Sequence, residues 1–146
     1  MTVKAPEDIL EDILKEQYLG VLATERDGRP YTNLIAFAAT EDMKRILFVT
    51  PRFTRKYSNI QTSHYASIMM DNRSNTVLDF KDATVVNAMG MVKEVDKVPE
   101  YSQLYLSKQP HLKDFLQAPT SALMMMDVEK YIIATSFQNV VEMEMK

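Results

Sequence analysis

The sequence predicts an α+β fold that is mainly β, a barrel or sandwich of about six strands with a leading helix and inserted helices. A helical apolar period occupies the N-terminus, and a series of strand-like apolar runs bounded by turn residues follows it. Only three glycines occur in the 146 residues, so there is no G-x-G-x-x-G and no Walker A loop. This scarcity disfavours a doubly wound nucleotide-binding fold.

Composition narrows the class of protein. With 46% hydrophobic and 25% charged residues, the chain is typical of a globular protein, and its length fits one domain over residues 1–146. A net charge of −3 argues against nucleic-acid and acidic-membrane partners. The absence of cysteine excludes disulfides, thiolate metal sites and cysteine catalysis. Without a signal-peptide core or an apolar run of about 20 residues, we expect a cytoplasmic protein.

The first half of the chain is predicted to form one helix and three strands. Residues 6–16 begin with a proline and two acids and carry apolar residues at helical spacing. Asp27-Gly28 is typical of a tight hairpin turn, because such turns require positive φ. The three predicted strands occupy residues 18–24, 30–40 and 45–50.

The second half is predicted to add strands and a broken helix. Gly90 lies inside the long strand predicted at residues 83–95, which indicates a bulge or a close approach to the backbone. Pro110 divides the helical region 99–116 into two pieces. The other predicted strands lie at residues 66–70, 121–126 and 130–145, with a polar loop at 71–75.

A pair of cations stands at the start of a predicted short helix that follows the strand ending at Thr50. Thr54 is placed to cap this helix, and Arg55 and Lys56 fall in its first turn. Cations there are mildly unfavourable, because a helix N-terminus already carries partial positive charge. A bound anion would reverse that effect, so the pattern is typical of a phosphate site, with a solvated basic turn as the alternative.

The same stretch carries a resemblance to a known family. Thr50, Thr54-Arg55-Lys56 and Asn59-Ile60, preceded by the hairpin LATERDGRPYTNLIAF, resemble the pyridoxamine 5'-phosphate oxidase-like family of FMN-binding split β-barrels. The resemblance runs from about residue 18 to residue 95, and the closing strand also fits. It implies a split β-barrel, and a homodimer that holds FMN in a groove at the subunit interface.

The resemblance also implies which residues hold the cofactor. Residues matching Thr54, Arg55 and Lys56 hold the FMN phosphate, and those matching Val49 and Thr50 line the ribityl chain and ring. The backbone of the segment matching Asn33, Leu34 and Ile35 lies along the isoalloxazine. The polar loop offers Asn72 and Arg73, which are expected either to reach the flavin or the partner subunit, or to form a plain turn.

The expected function is FMN-dependent oxidation or reduction of an unknown small molecule, with no catalytic residue identifiable. Pyridoxamine-phosphate oxidases also have an arginine-rich, tryptophan-containing C-terminal segment. This sequence has no tryptophan, so their own reaction is not expected here. Two alternatives stay open. One is a non-catalytic flavin-binding or haem-binding protein, with His64 and His111 as the available imidazoles. The other is an F420-dependent reductase, whose acidic cofactor tail would need Arg52 and Arg73.

Overall fold

The computed structural model describes residues 4–146, in which six antiparallel strands close into a barrel. The described residues form seven strands, of which the first six close the barrel: β1 (Leu19–Arg26), β2 (Arg29–Ala39), β3 (Arg45–Pro51), β4 (Tyr65–Asp71), β5 (Thr84–Val95), β6 (Ser121–Thr135) and β7 (Asn139–Glu144). The helices are α1 (Pro6–Glu16), α2 (Arg55–Thr62), α3 (Asp79–Asp82), α4 (Pro99–Lys108) and α5 (Lys113–Gln117), with a 3₁₀ turn at Pro110–Leu112. The predicted mainly β, split-barrel fold is confirmed.

The ring of strands runs β1–β2–β3–β6–β5–β4 and back to β1. It closes where β3 pairs with β6, from Arg45 opposite Asp127 to Pro51 opposite Ser121. β7 extends the sheet beyond the ring as the hairpin partner of β6. Alternate residues of each strand therefore point into the barrel or away from it.

Two apolar clusters follow from this alternation. Inward residues such as Leu22, Phe37 and Phe48 fill the barrel together with Leu10 and Ile13 of α1. Outward residues of β2, β3 and β6 pack beneath α4 and α5 in a second cluster: Ala38, Leu47, Val49, Tyr105, Leu116, Leu123 and Met125. One wall of the barrel is thus covered by helices.

The first hairpin has the predicted turn. Asp27 and Gly28 both have positive φ, 53° and 77°, as a two-residue turn of the I′ type requires. The turn places Arg26 directly opposite Arg29, so two cations flank the tip of the hairpin. The tip lies at the same end of the barrel as the end of β3.

The junction of α4 with the barrel depends on Lys108. Its ammonium donates a hydrogen bond of 2.6 Å to the carbonyl of Leu14 in α1 and lies 3.7 Å from the centroid of the Phe37 ring. Burial lowers the pKa of Lys108 to about 8. Gln109 donates to the carbonyls of Tyr18 and Phe37 beside it. These contacts join α1, α4 and β2.

The C-terminal strands differ from the prediction. Residues 121–126 and 130–145 were expected to be separate strands, and this is wrong, because β6 is continuous from Ser121 to Thr135. The two acids Asp127 and Glu129 lie between the two predicted strands, yet they flank the buried Val128 and alternate with it along one strand. The true turn contains Ser136 and Phe137, both at positive φ without any glycine to signal it. Helix α3 was not predicted either.

None of the helices within residues 4–146 combines the length and apolar character needed to cross a bilayer.

Gly90 marks a bulge, as predicted. The register of β5 against β6 shifts between Met89 and Gly90, so that Glu129 is left without a direct partner. A Cβ atom on Gly90 would lie 2.0 Å from the carbonyl oxygen of Asp127. Only glycine therefore allows the two backbones to approach this closely.

We expect Gly90→Ala to lower the free energy of unfolding by about 1–3 kcal/mol, because the backbone of β6 must move to admit the methyl group. Urea unfolding of the purified protein measures this change. Gly20→Ala is the control, since there the nearest atom is a side-chain methyl of Ile68 at 3.0 Å. A Gly90→Ala protein as stable as the wild type would contradict the assignment.

Candidate functional site

The start of α2 is fixed by a hydroxyl pair. The Oγ1 atoms of Thr50 and Thr54 lie 2.9 Å apart, and both hydroxyls are within reach of the Pro51 carbonyl. Thr54 caps α2 by accepting the N–H of Tyr57 at 3.4 Å. Thr50 is fully buried. The end of β3 thereby sets the direction in which the first N–H groups of α2 point.

A second connection fixes α2 to β5. Glu94 accepts hydrogen bonds from Arg52, at 2.6 Å, and from the hydroxyl of Tyr57, at 2.7 Å. Arg52 also donates to the carbonyl of Pro119 at 2.8 Å. The guanidinium of Arg52 holds the pKa of Glu94 below its usual value. Arg52 is thus engaged within the chain.

Arg55 and Lys56, in contrast, have no acidic partner. The first turn of α2 contains no acid, and neither residue forms an ion pair within residues 4–146. Arg55 lies over the ring of Tyr31, 5.3 Å from its centroid. Lys56 is half-buried, on the side of the helix that carries Ile60 one turn later. Burial lowers the pKa of Lys56, as expected of an ammonium without a counter-ion.

In the predicted flavin segment of β2, residues 33–35, the side chains point alternately into the barrel and away from it. Ile35 points into the barrel and is buried, whereas Leu34 points outward with 66% of its surface exposed. Asn33 lies on the inward side, opposite Leu22. Its Oδ1 atom is buried, and no donor reaches it among the described residues. Its amide nitrogen makes a long bond, 3.3 Å, to the Leu34 carbonyl. A buried acceptor without a donor is unusual and indicates a place where a ligand or water bonds.

The remaining predicted residues lie elsewhere. Val49 is 5% exposed and packs in the second cluster beneath α4 and α5. Asn72 and Arg73 follow β4 at its far end, so the seven residues of that strand separate them from the end that carries α2, roughly 20 Å. Asn72 accepts the N–H of Thr84, and Arg73 pairs with Asp71 at 3.2 Å. Within one chain they do not meet Arg55 and Lys56.

Sequence reasoning missed a neighbouring group of residues. An open cleft of about 610 Å³ separates the tip of the first hairpin from the start of α2, and we name it the arginine cleft. Its lining includes three arginines, two aromatic rings and one acid: Arg26, Arg29, Arg55, Tyr31, Phe53 and Asp27. In the sequence, Arg26 and Arg29 flank the Asp27-Gly28 turn of the hairpin that carries the family resemblance, and no binding role is predicted for either. The pairings of β2 with β3 and of β1 with β4 bring them to α2, which connects β3 to β4, and no local pattern signals that.

Comparison with known proteins identifies the family of this chain. The family model described as pyridoxamine 5'-phosphate oxidase matches residues 6–131. The chain belongs to this family. No curated protein matches the sequence.

Solved structures share the fold at low sequence identity. A haem binding protein from Mycobacterium smegmatis has a TM-score of 0.83 and 12% identity, over 99% of this chain and 60% of its own. A FAD-binding protein from Mesorhizobium loti has a TM-score of 0.70 and 16% identity, over 88% and 92%. HutZ, the haem storage protein from Vibrio cholerae, has a TM-score of 0.69 and 15% identity, over 94% of each chain. Proteins of this fold thus include described flavin and haem binders.

The two histidines lie apart from the start of α2. His64 is exposed between α2 and β4, and His111 is exposed in the 3₁₀ turn. Within residues 4–146, no group of three or more His, Asp or Glu side chains is arranged to hold a metal ion. His111 does line an open cleft of about 620 Å³ with Tyr18, Leu19 and Ala36.

The unpartnered Oδ1 of Asn33 gives a prediction for the protein without ligand. We expect Asn33→Leu to raise the free energy of unfolding by about 1 kcal/mol, because it removes a buried acceptor that lacks a donor. Urea unfolding of the ligand-free protein measures the change.

Asn59→Leu is the matched control. The amide of Asn59 donates a buried 3.0 Å hydrogen bond to Thr24, so this variant should lose about 1–3 kcal/mol. Equal losses in the two variants would show that the Asn33 amide is satisfied.

Proposed function

We propose that the protein binds a flavin, FMN, with the phosphate at the start of α2. The observation that carries this proposal is the presence of two cations, Arg55 and Lys56, in a helical first turn without any acidic partner among residues 4–146. The phosphate of FMN carries nearly two negative charges at neutral pH. Its binding would offset both the like charge of the two side chains and their unfavourable position on the helix dipole.

The donor set fits a phosphate group. The N–H groups of Tyr57 and Ser58 bond to Thr54, whereas those of Arg55 and Lys56 lack an intrahelical acceptor by their position. A phosphate would accept from these N–H groups and from the two side chains. Thr54 contributes by holding the helix start in place, since its hydroxyl is already engaged with Thr50 and Pro51.

Other residues would shape the flavin site around the ring. Leu34 presents an exposed apolar side chain on the outer wall of the barrel, and Asn33 offers an acceptor for a ring or ribityl donor. Ile35 and Val49 turn their side chains into the two apolar clusters, so their contribution would be backbone position. Thr50 would act through its bond to Thr54.

The chemistry would come from the cofactor. Bound FMN accepts and donates electrons or hydride without an acid–base pair from the protein, and the chain's own part is to bind and orient it. We propose an oxidoreductase acting on a small molecule. Steady-state oxidation of NADH or NADPH by the FMN-loaded protein separates this enzyme from a flavin carrier.

The first test compares FMN with riboflavin, which differs by lacking the phosphate. We expect wild-type protein to bind FMN about 100-fold more tightly, and Arg55→Ala/Lys56→Ala to reduce this ratio to nearly one. Quenching of flavin fluorescence measures both affinities. Lys113→Ala, an exposed lysine on α5, is the control and should keep the ratio. A double variant that retains the full preference for FMN would exclude the α2 site.

We propose in addition that two copies of the chain form the complete site. The outward residues Leu34, Val21 and Met69 stand opposite one another on β2, β1 and β4, and form an apolar row on the outer wall. Asn72 and Arg73 would reach a flavin at α2 only from the second copy, because within one chain they lie at the far end of the barrel. Flavin binding and dimerisation would then be linked.

Leu34→Lys should dissociate the dimer and weaken FMN binding, because it places a charge within the apolar row. Native mass spectrometry reports the subunit number and the bound flavin together. Val77→Lys is the matched control, since Val77 is 82% exposed outside this row. A wild-type monomer carrying one FMN would overturn the shared site.

A second candidate ligand is haem, favoured by the cleft that His111 lines with Tyr18, Leu19 and Ala36. The absorbance spectrum of the purified protein distinguishes the two ligands, since haem gives a Soret band and FMN gives near-ultraviolet and blue bands. A Soret band lost in His111→Ala would establish haem in this cleft.

F420 is less well supported, because Arg52 and Arg73 both pair with carboxylates within the chain.

A further inference from the structure

The six arginines of the chain fall into two groups. Arg45, Arg52 and Arg73 each form an ion pair with a carboxylate of the chain. The other three, Arg26, Arg29 and Arg55, form none within residues 4–146, and all three line the arginine cleft. In a protein of net charge −3, the unpaired guanidiniums are thus gathered at one place.

The cleft is cationic in spite of the acid in its lining. Asp27 is the one carboxylate among its lining residues, and it makes no ion pair with them. Arg26 donates a 3.0 Å hydrogen bond to the neutral hydroxyl of Ser58, which positions its guanidinium but leaves its charge uncompensated. Like charges this close repel one another, so a bound anion would stabilise the arrangement.

Aromatic surfaces stand beside the three cations. Phe53 lies in the loop before α2 with 81% of its surface exposed, and Tyr31 carries the guanidinium of Arg55 on its ring. A flat aromatic base can stack on either a ring or a guanidinium plane. The volume of about 610 Å³ lies within the range typical of small-molecule sites.

We propose that the arginine cleft binds the adenosine phosphate portion of a nucleotide, with Arg26 and Arg29 on the phosphate and Phe53 beside the base. This site is adjacent to the proposed flavin phosphate site but separate from it, since its two main cations come from the hairpin tip. The adenosine phosphate can belong to the flavin itself, as in FAD, or to a pyridine dinucleotide that donates electrons.

The experiment uses AMP as the probe and measures its binding by calorimetry, at low ionic strength, to the purified protein with and without saturating FMN. We expect AMP to bind in both cases, and to bind about tenfold more weakly to Arg26→Ala or Arg29→Ala. Arg45→Ala is the matched control, because Arg45 lies at the opposite end of β3 and should leave AMP binding unchanged. AMP binding that is absent, or that is equal in all three variants, would overturn the proposal.

Two further probes test the orientation. Phe53→Ala should weaken AMP about fivefold to tenfold and leave ribose 5-phosphate unaffected, because only AMP has a base to stack. Equal effects on both probes would contradict the place assigned to the base. FMN that displaces AMP one for one would overturn the proposal, since it would mean a single anion site.

Two further experiments distinguish whether the adenosine phosphate belongs to the flavin or to the dinucleotide that donates electrons. A wild-type preference for FAD over FMN of about tenfold, lost in Arg29→Ala, assigns the cleft to the flavin. Competition between NADPH and AMP on FMN-loaded protein assigns it to the electron donor. The proposed flavin site can fail on its own: AMP binding sensitive to Arg29, with no binding of FMN, would leave this inference standing.

Discussion

Closure of the barrel by the pairing of β3 with β6 is the constraint on which the rest of the structure depends. The paired residues lie far apart in the sequence, so the ladder from Arg45 to Pro51 forms only after β6 has been brought back across the intervening strands and helices. Once β3 is held in place, its last residues determine where α2 begins. The hydroxyl pair Thr50–Thr54 and the acceptor Glu94 carry the rigidity of the barrel to the first turn of that helix.

This rigidity explains how the chain tolerates cations at a helix start. Their interaction with the helix dipole costs about 0.3–1 kcal/mol each, which is small beside the burial of the apolar residues that hold α2 against the barrel. Carboxylates are not scarce in the chain, but among the described residues none forms an ion pair with Arg55 or Lys56. Asp71, Glu94 and Asp127 each neutralise an arginine in or beside a strand. Within residues 4–146, no carboxylate forms an ion pair with four cations at one end of the barrel, so their charges stay uncompensated: Arg26, Arg29, Arg55 and Lys56.

Local patterns predicted most of the fold. Three features have short-range causes that a single sequence shows: the proline and acids that begin α1, the Asp27-Gly28 turn and the bulge at Gly90. The turn at Ser136 and Phe137 has no such local signal, because its positive φ values fall on residues that rarely adopt them. Likewise Asp127 and Glu129 lie in the gap between two predicted strands, and only the register with β5 shows that they belong to one long strand.

Only part of the candidate site was predicted, because only part of it has a short-range pattern in the sequence. Arg55 and Lys56 were found because they follow each other at a helix start, whereas Arg26 and Arg29 come close to them only because β1 pairs with β4 and β2 pairs with β3. The directions of Asn33, Leu34 and Ile35 followed from strand alternation once the barrel interior was known. Sequence spacing did not show how far the polar loop lies from α2. Asn72 and Arg73 are a strand length away from that helix.

The contact between Lys108 and α1 has a chemical consequence. With a pKa of about 8, roughly a fifth of this side chain is a free amine at pH 7.4, against about one in a thousand for an ordinary lysine. Acylating reagents attack the free amine, so Lys108, which lines two open clefts, should be labelled before an ordinary lysine while α1 stays in place. When α1 lifts away, water reaches the ammonium, its pKa returns to the ordinary value, and this early labelling should be lost. An acylated Lys108 no longer has a charge to place over Phe37, and α1 then loses part of its attachment. The chain thus carries an internal probe for the opening of its first helix.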